Sequence, residues 1–252
     1  ATISYHYFQM ILFSFILLFS VNSFRIFDEN IAKSKKISKR IIAKGPNFLN
    51  TNFSYNDMAF APADLGKYTF SNCFFEYNNG EGNEPGSIHL SGESSLSISD
   101  CSFIHNTGQF LGGAILLEIN EFDIQSSKFI ENECTTTNIL GGCGGSIFIL
   151  KLGDTQVIKS CLFQGNRATT SGGAIHVWYN NTQPQDPGFK DALNVTDCQF
   201  LVCTADTGGA IYTGSINPSL SNKDGDMSIE GCLFNKCHSK VGGAIHFSDG
   251  DF

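Results

Sequence analysis

The segment TTSGGAIHVW, residues 169–178, contains the pattern that decides the fold. Gly172 and Gly173 carry no side chain, and they precede an alternating apolar stretch that is typical of a short β-strand. Two glycines before a strand are compatible with a phosphate-binding loop, a tight turn or one unit of a repeat. A single copy does not discriminate between these interpretations, whereas a series of copies would favour a repeat.

The pattern Gly-Gly-Ala/Ser-Ile recurs along the chain, each time after a second pattern of the form apolar-x-x-Cys-x-Phe-x-x-Asn. Two coupled patterns in a fixed order predict a repeat architecture and argue against a series of nucleotide sites. The Phe-to-Phe spacing varies between 22 and 37 residues, which predicts insertions at one or two corners of each unit. The repeat positions are Phe75, Phe103, Phe129, Phe163, Phe200 and Phe234; Asn78, Asn106, Asn132 and Asn166; and the second glycines Gly113, Gly145, Gly173, Gly209 and Gly243.

The units contain short, β-branched strand pieces and no segment of helical periodicity. We therefore predict an all-β fold, a right-handed parallel β-helix solenoid of about six to seven coils over residues 47–252. The Phe rings are expected to stack in the core, the Asn amides to form a ladder at a turn, and the glycines to mark positions where a Cβ is excluded. Because GGAIHFSDGDF stops in the middle of a coil, we expect that the natural chain continues beyond residue 252 or that another molecule stacks there.

These paired patterns resemble the repeat of chlamydial polymorphic membrane proteins and of related trichomonad surface proteins. The resemblance covers residues 48–247 and departs from the family at Cys203 and Cys237, which replace Asn, and at Ser146, which replaces Ala. The autotransporter barrel of the bacterial proteins is not found within these 252 residues. The resemblance implies a surface-displayed stalk that acts in adhesion, and the composition suits an AT-rich protist. The matching motifs are Phe103-x-x-Asn106, Phe129-x-x-Asn132, Phe163-x-x-Asn166, and the Gly-Gly-Ala-Ile motifs that begin at Gly112, Gly172, Gly208 and Gly242.

The first 46 residues differ from the repeats. Residues 1–23 carry no charged side chain, and Val21 and Ser23 fit the small-residue rule for signal-peptidase cleavage, so we predict a signal peptide or an uncleaved anchor. Residues 24–46 are basic and have isoleucines at roughly helical spacing after an N-cap signal, which predicts a short amphipathic helix that caps the first coil. A pro-segment cleaved after Arg40 is the alternative.

The charge distribution excludes one class of partner. The chain has a formal charge of −8, but residues 25–44 hold seven Lys and Arg against two acidic residues, a local +5 that leaves −13 for residues 45–252. A body this acidic repels phosphate backbones, so we expect no nucleic acid partner. We predict a secreted or cell-surface location.

Nine cysteines in a secreted chain suggest disulfides. Those at the repeat position point inward in parallel, which opposes the torsion of a disulfide, so we interpret them mostly as buried thiols. Cys203–Cys237 at a corner and Cys134–Cys143 around a loop are better candidate disulfides. The cysteine spacing follows from the repeat, so we expect no metal site and no cofactor. The column consists of Cys73, Cys101, Cys161, Cys198 and Cys232, with Ser127 once.

One outward column varies in chemistry and follows each Gly-Gly-Ala-Ile motif. Exposed rings favour protein and sugar partners, so this stripe is the predicted binding surface; a sheet face covered by a loop is the alternative. Sequons at Asn52, Asn180 and Asn194 are candidate glycosylation sites. The stripe consists of His89, Phe148, His176, Tyr212 and His246.

Three functions are compatible with this pattern. The first is a non-catalytic surface or secreted protein that binds a host, matrix or cell-surface protein or glycan. The second is a structural protein that associates with itself through open coil ends into extracellular fibres. The third, a polysaccharide lyase or glycosidase, needs clustered acids on adjacent coils. Asp100 and Asp197 share a repeat position but lie three coils apart, so we expect no enzyme and name no catalytic residue.

Overall fold

The computed structural model describes residues 47–57, 59–62, 64–135, 143–150, 155–179, 192–215 and 226–248. Within these ranges the chain forms strands and no helix, and every strand pairing is parallel. The strands are β1 (Asn47–Leu49), β2 (Asn52–Ser54), β3 (Lys67–Ser71), β4 (Phe74–Glu76), β5 (Ile88–Ser99), β6 (Ser102–Ile104), β7 (Thr107–Gly108), β8 (Ile115–Gln125), β9 (Lys128–Ile130), β10 (Glu133–Cys134), β11 (Ile147–Ile149), β12 (Thr155–Lys159), β13 (Leu162–Gln164), β14 (Arg167–Ala168), β15 (Ile175–Tyr179), β16 (Ala192–Thr196), β17 (Gln199–Leu201), β18 (Ile211–Ser215), β19 (Asp226–Glu230), β20 (Leu233–Asn235) and β21 (Ile245–Phe247).

The strands stack into three parallel sheets, as expected for a β-helix. The first sheet runs β1-β3-β5-β8-β11-β15-β18-β21, with β12, β16 and β19 added beside the second half of β8. The second runs β2-β4-β6-β9-β13-β17-β20, and the third is the short set β7, β10 and β14. Seven strands in the second sheet confirm the all-β solenoid and its number of coils. The right-handed sense of the coils stays a prediction.

The varying repeat length has a structural cause. β5 and β8 each run without a break through two stretches of the first sheet, whereas later coils divide the same path into β11 and β12, β15 and β16, or β18 and β19. In the coils of Phe163 and Phe200 the extra residues enter between these two stretches, whereas in the coil of Phe129 most of them lie between β10 and β11. The paired registers on either side are unchanged. This agrees with the prediction that insertions are confined to corners.

A single column of phenylalanines runs through the core. Phe53 stacks on Phe75 with ring centroids 4.7 Å apart and an interplanar angle of 7°, and the later members stack at 4.5 to 4.9 Å. Each ring buried this way stabilises the fold by roughly 1.5 to 3 kcal/mol. The predicted core stack is thus confirmed; its members after Phe53 are Phe75, Phe103, Phe129, Phe163, Phe200 and Phe234.

The predicted asparagine ladder is also present, and it is buried. The Asn132 Oδ1 atom accepts hydrogen bonds from the backbone N–H of Asn106 at 3.0 Å and from its Nδ2 at 2.9 Å. The Nδ2 of Asn132 in turn donates to the Phe103 carbonyl at 2.9 Å and to Asn166 Oδ1 at 3.2 Å. Every coil therefore supplies hydrogen-bond partners for the asparagine of its neighbour. These bonds offset the free-energy cost of burying the amides.

Cysteine continues this ladder where asparagine ends. The Cys203 thiol receives hydrogen bonds from the backbone and side chain of Asn166, and its Sγ lies 3.6 Å from the Phe163 carbonyl. Cys237 makes the same contact with the Phe200 carbonyl at 3.3 Å. A thiol has one weak donor and a weakly accepting sulfur, so it fulfils the same role as the amide, although more weakly.

The two positions of the glycine pair require glycine for different reasons. Gly172 adopts φ of +65°, which favours glycine, while a Cβ on Gly173 would lie 2.1 Å from the Gly209 carbonyl oxygen of the next coil. The first glycine thus permits the turn and the second permits close stacking of coils. Similarly close contacts surround Gly113, Gly145 and Gly209, whereas Gly243 has open space and φ of +58°.

Each coil has two further corners at which a residue has a left-handed backbone conformation, with positive φ. Most of the residues at these corners are not glycine. One precedes the cysteine column and the other precedes the asparagine column. A left-handed non-glycine residue costs roughly 1–2 kcal/mol, so the stacking of neighbouring coils must offset it. The first corner has Asn50, Asn72, Asp100, Ser126, Ser160, Asp197 and Gly231; the second has Tyr55, Tyr77, His105, Glu131, Gly165, Val202 and Lys236.

The predicted N-terminal segments, 1–23 as signal peptide or anchor and 24–46 as capping helix, lie outside the described residues. Within the described residues, no helix is long and apolar enough to cross a membrane.

Replacing Asn132 by alanine should lower the free energy of unfolding by roughly 3 kcal/mol, because buried donors of Asn106 and the Phe103 carbonyl lose their partner. Asn132→Cys should cost clearly less, because Cys203 already fulfils this role in another coil. Urea unfolding of both variants measures the difference. Equal losses for the two variants would show that volume, and not the hydrogen bonds, matters at this position.

Candidate functional site

The predicted binding stripe is one column in the strand register. Pairing aligns Phe148 with His176, His176 with Tyr212, and Tyr212 with His246. The same column begins at His89 and passes through Leu116. The structure therefore brings all five predicted residues into one line across the first sheet.

The rings of this column lie against one another: two of the three contacts are stacked, and the one between His176 and Tyr212 is tilted by 34°. Phe148 and His176 have centroids 4.8 Å apart, His176 and Tyr212 are 4.6 Å apart, and Tyr212 and His246 are 5.5 Å apart. Trp178 lies beside them, with its centroid 5.8 Å from that of His176. Because each ring covers the face of the next, the inner faces of the stack are not available for a sugar ring.

The expectation that this stripe is exposed is wrong at its centre. Phe148 is fully buried and His176 is 3% exposed, whereas His89, Tyr212 and His246 are half-buried. A second apolar cluster covers the sheet here: Phe148 packs with Leu116 and Cys143. The covered-face alternative therefore describes the middle of the column, and binding by its half-buried members stays a prediction. The partly buried side chains packed on the cluster are Leu111, Leu150 and Trp178.

His176 is held as a neutral imidazole. Its Nδ1 lies 3.0 Å from the Ser171 Oγ, which also lies 3.4 Å from the Cys143 Sγ. Its Nε2 is buried without a hydrogen-bond partner. Burial therefore lowers the pKa of His176 to about 3, although a hydrogen bond to the Ser171 backbone acts in the opposite direction.

His89, at the other end of the column, has the opposite electrostatic setting. Its Nδ1 lies 2.9 Å from the Glu84 carboxylate and its Nε2 lies 3.7 Å from that of Glu118. Burial alone would lower the pKa of His89, but the two carboxylates outweigh it and raise the pKa. The two histidines of one column thus respond to acid in opposite senses.

A second aromatic column was missed by the sequence patterns. Tyr55 stacks on Tyr77 at 5.3 Å and Tyr77 on His105 at 4.9 Å, and the His105 Nδ1 lies 3.3 Å from the Glu131 carboxylate. Tyr55 is 70% exposed and Tyr77 is 48% exposed. Each occupies the left-handed corner before the asparagine column, two residues after the repeat Phe. That fixed offset is the signal that could have revealed this corner column.

The cysteines form a ladder of thiols. The Cys73 N–H lies 3.3 Å from the Cys101 Sγ, and the Cys101 N–H lies 3.1 Å from the Ser127 Oγ. The hydroxyl of Ser127 thus replaces a thiol without breaking the ladder. The column is buried from Cys73 to Cys198 and half-buried at Cys232, as the predicted inward orientation requires.

Neither candidate disulfide is formed in this structure. Cys203 and Cys237 are thiols in mutual hydrogen-bond contact, and no disulfide joins Cys134 to Cys143. Both pairings stay predictions. Among the described residues, no group of three or more His, Cys, Asp and Glu could hold a metal ion.

The three sequons have different surroundings. Asn52 is exposed on β2, and Asn194 is half-buried on β16, whose neighbours are β12 and β19. Asn180 lies outside the described residues. Glycosylation stays a prediction at each of them.

His176→Phe should remove a source of acid sensitivity. The neutral imidazole contributes stability that is complete above pH 6.5 and is lost as the pH falls from there toward 3, by about 1.4 kcal/mol per pH unit. The difference in unfolding free energy, Phe variant minus wild type, should therefore be about 2 kcal/mol larger at pH 5 than at pH 7. Urea unfolding at both pH values measures this gain.

His89→Gln provides the opposite control. The raised pKa of His89 gives stability that is present below pH 6.5 and lost as the pH rises through the raised value, so this variant should lose more stability at pH 6 than at pH 9. If the stability changes of the two variants varied with pH in the same direction, the surroundings described for His176 and His89 would be contradicted.

Comparison with known proteins supports the repeat assignment. A family model for the Chlamydia polymorphic membrane protein repeat matches residues 160–177, which contain Cys161, Phe163, Asn166 and the glycine pair of one coil. Comparisons with curated proteins and with solved structures find no match to the chain. The chain is thus a repeat protein that carries a repeat of the Chlamydia polymorphic membrane protein type at residues 160–177.

Proposed function

We propose that this protein is a secreted or cell-surface, non-catalytic β-helix that acts in adhesion or extracellular binding. The observation that carries the proposal is the polymorphic membrane protein repeat at residues 160–177, which forms part of one coil of a regular parallel solenoid. Solenoids of this kind present long, flat surfaces built from equivalent positions of successive coils. Such surfaces suit the binding of an extended protein or glycan.

The exposed corner column offers the better binding surface of the two aromatic columns. Tyr55 and Tyr77 stand at the surface, whereas Phe148 and His176 in the predicted stripe are buried. Because stacked rings cover one another's faces, a partner would meet their polar edges, the two Tyr hydroxyls and the imidazole of His105. The half-buried Tyr212 and His246 form a smaller, separate surface.

The separation of Asp100 and Asp197, the two acidic residues that share a repeat position, supports the non-catalytic part of the proposal. Glycoside hydrolysis needs two carboxyl groups about 5 to 10 Å apart. Asp100 and Asp197 occupy equivalent corners, but Ser126 and Ser160 stand on the two coils between them. With strands of neighbouring coils about 4.8 Å apart, three coils separate the two carboxylates by about 14 Å.

A glycan and extracellular-matrix array, probed with the full chain and with a double variant, tests the binding proposal. Tyr55→Ser with Tyr77→Ser should weaken binding to any ligand found by roughly tenfold or more, because exposed Tyr residues are frequent binding hot spots. Val202→Ser is the matched control, since Val202 is 51% exposed in the same column but lies in a distant coil. Unchanged binding by the double variant would exclude this surface, and turnover of a glycan would favour an enzyme.

Self-association into fibres is a second candidate, and one observation favours it. In the coil of residues 226–248, Ile229, Phe234 and Ile245 are only half-buried, whereas the equivalent residues of the preceding coils are buried. A further coil stacked on this one, from the same chain or from a second copy, would complete the burial and pair its strands.

Electron microscopy and sedimentation of the purified full chain test this second candidate. Concentration-dependent filaments that disappear in Phe234→Ser are the expected result, because a polar side chain there weakens the apolar contact between copies. Monomers at all concentrations would exclude assembly through this coil.

A further inference from the structure

The outer face of the second sheet carries an exposed aromatic side chain that belongs to no stack. Phe74 is 43% exposed, and strand pairing places it between Asn52 on β2 and Ser102 on β6. Both neighbours are small and polar, and Phe74 has no ring contact among the described residues. Its faces are therefore not covered by other rings, in contrast to the two aromatic columns. Strands flank Phe74 on both sides, so its exposure does not depend on where the chain begins or ends.

A sequon for N-glycosylation lies directly beside this ring. Asn52, Phe53 and Ser54 form β2, in which Phe53 is buried in the core while Asn52 is exposed on the outer face. The Ser54 hydroxyl donates a hydrogen bond to Asn52 Oδ1, whereas Asn52 Nδ2, the atom that takes up the sugar, has no hydrogen-bond partner within the described ranges. Parallel pairing places Asn52 about 4.8 Å from Phe74.

Phe74 is within reach of a sugar attached to Asn52, and the two groups attract each other. One face of a pyranose ring presents several C–H groups, whose partial positive charge favours contact with the negative face of an aromatic ring. The same contact removes apolar surface of Phe74 from water. Because the sugar is tethered to the neighbouring strand, its effective concentration at the ring is high.

The second sequon within the described residues lacks this arrangement. Asn194 is half-buried on β16, and its paired neighbours are Val157 and Ser228, neither of which is aromatic. A glycan at Asn194 would therefore find no ring at the position that Phe74 occupies beside Asn52.

We propose that Asn52 carries an N-linked glycan and that the first sugar of this glycan packs on Phe74, where it holds the first two coils together. This modification depends on the secreted location proposed above, because the transfer takes place in the secretory pathway. A lipid-linked oligosaccharide is the donor. A bond forms between Asn52 Nδ2 and C1 of the first sugar, the bond from C1 to the lipid pyrophosphate breaks, and the amide loses one proton. The lipid pyrophosphate is the leaving group.

Expression of the full chain in a eukaryotic cell, once with its own N-terminal segment alone and once behind an added cleavable signal peptide, tests the assignment of the site. Peptide mapping of the chain that carries the added signal should find a glycan on Asn52. An unmodified Asn52 in this secreted chain would overturn the proposal. Secretion that requires the added signal would contradict the proposed location, while a glycan on Asn52 would still support the site.

Stepwise removal of the glycan tests the contact with Phe74. Asn180→Gln and Asn194→Gln, introduced together, restrict the modification to Asn52. An endoglycosidase that leaves one N-acetylglucosamine should preserve the stability of the chain in urea. Complete removal by an amidase should then raise the equilibrium constant of unfolding roughly fivefold, the size of one aromatic contact.

Two variants made in the same background show whether this difference arises from the ring. Phe74→Ser should abolish the difference between one sugar and none, and it leaves the core intact because Phe74 is exposed. Leu233→Ser is the matched control and should retain the difference, since Leu233 is 51% exposed in the same column but lies in a distant coil. The amidase leaves an aspartate in place of Asn52 in every variant, so this change is common to all comparisons. A fivefold difference that persists in Phe74→Ser would overturn the contact.

Discussion

The stacking of each residue on its equivalent in the next coil is the constraint on which the structure depends. Parallel pairing in register places each side chain about 4.8 Å from the equivalent side chain of the next coil. Such a repeat tolerates only side chains that are attracted to copies of themselves. Phenylalanine meets this condition through ring stacking, and asparagine meets it because each amide donates to and accepts from its neighbour. A buried charged side chain could not meet this condition, because it would repel its copy in the next coil. The core columns therefore consist of apolar residues or of uncharged polar residues.

The same logic explains the substitutions within the columns. Ser127 and Cys203 each replace the usual residue of their columns, and each retains a donor and an acceptor at the required point. Hydrogen-bonding capacity, rather than residue identity, therefore defines a position in the ladder. A single substitution that removed the donor or the acceptor would leave buried polar groups without partners in two coils, because every ladder residue bonds to both of its neighbours.

The columns could be predicted from the sequence because their chemistry is local and their spacing is fixed. Phe163, Asn166 and Gly173 were placed correctly for this reason. The burial of His176 could not be predicted, because it depends on how side chains such as Trp178 pack beside the column, and this packing does not follow from periodicity. The left-handed corners could not be predicted either, since Tyr77 and Val202 have no local signature for positive φ; coil stacking imposes that conformation on them.

Stacking also decides which columns can interact with a partner. A ring inside a continuous stack offers only its edge, so binding must use edge hydroxyls and imidazole nitrogens, and these face solvent only where no second apolar layer covers the sheet. The column through His176 has such a layer and the column through Tyr77 does not. An outward position in a solenoid is therefore only a precondition for binding. The neighbouring side chains that cover the sheet determine which outward columns become surfaces.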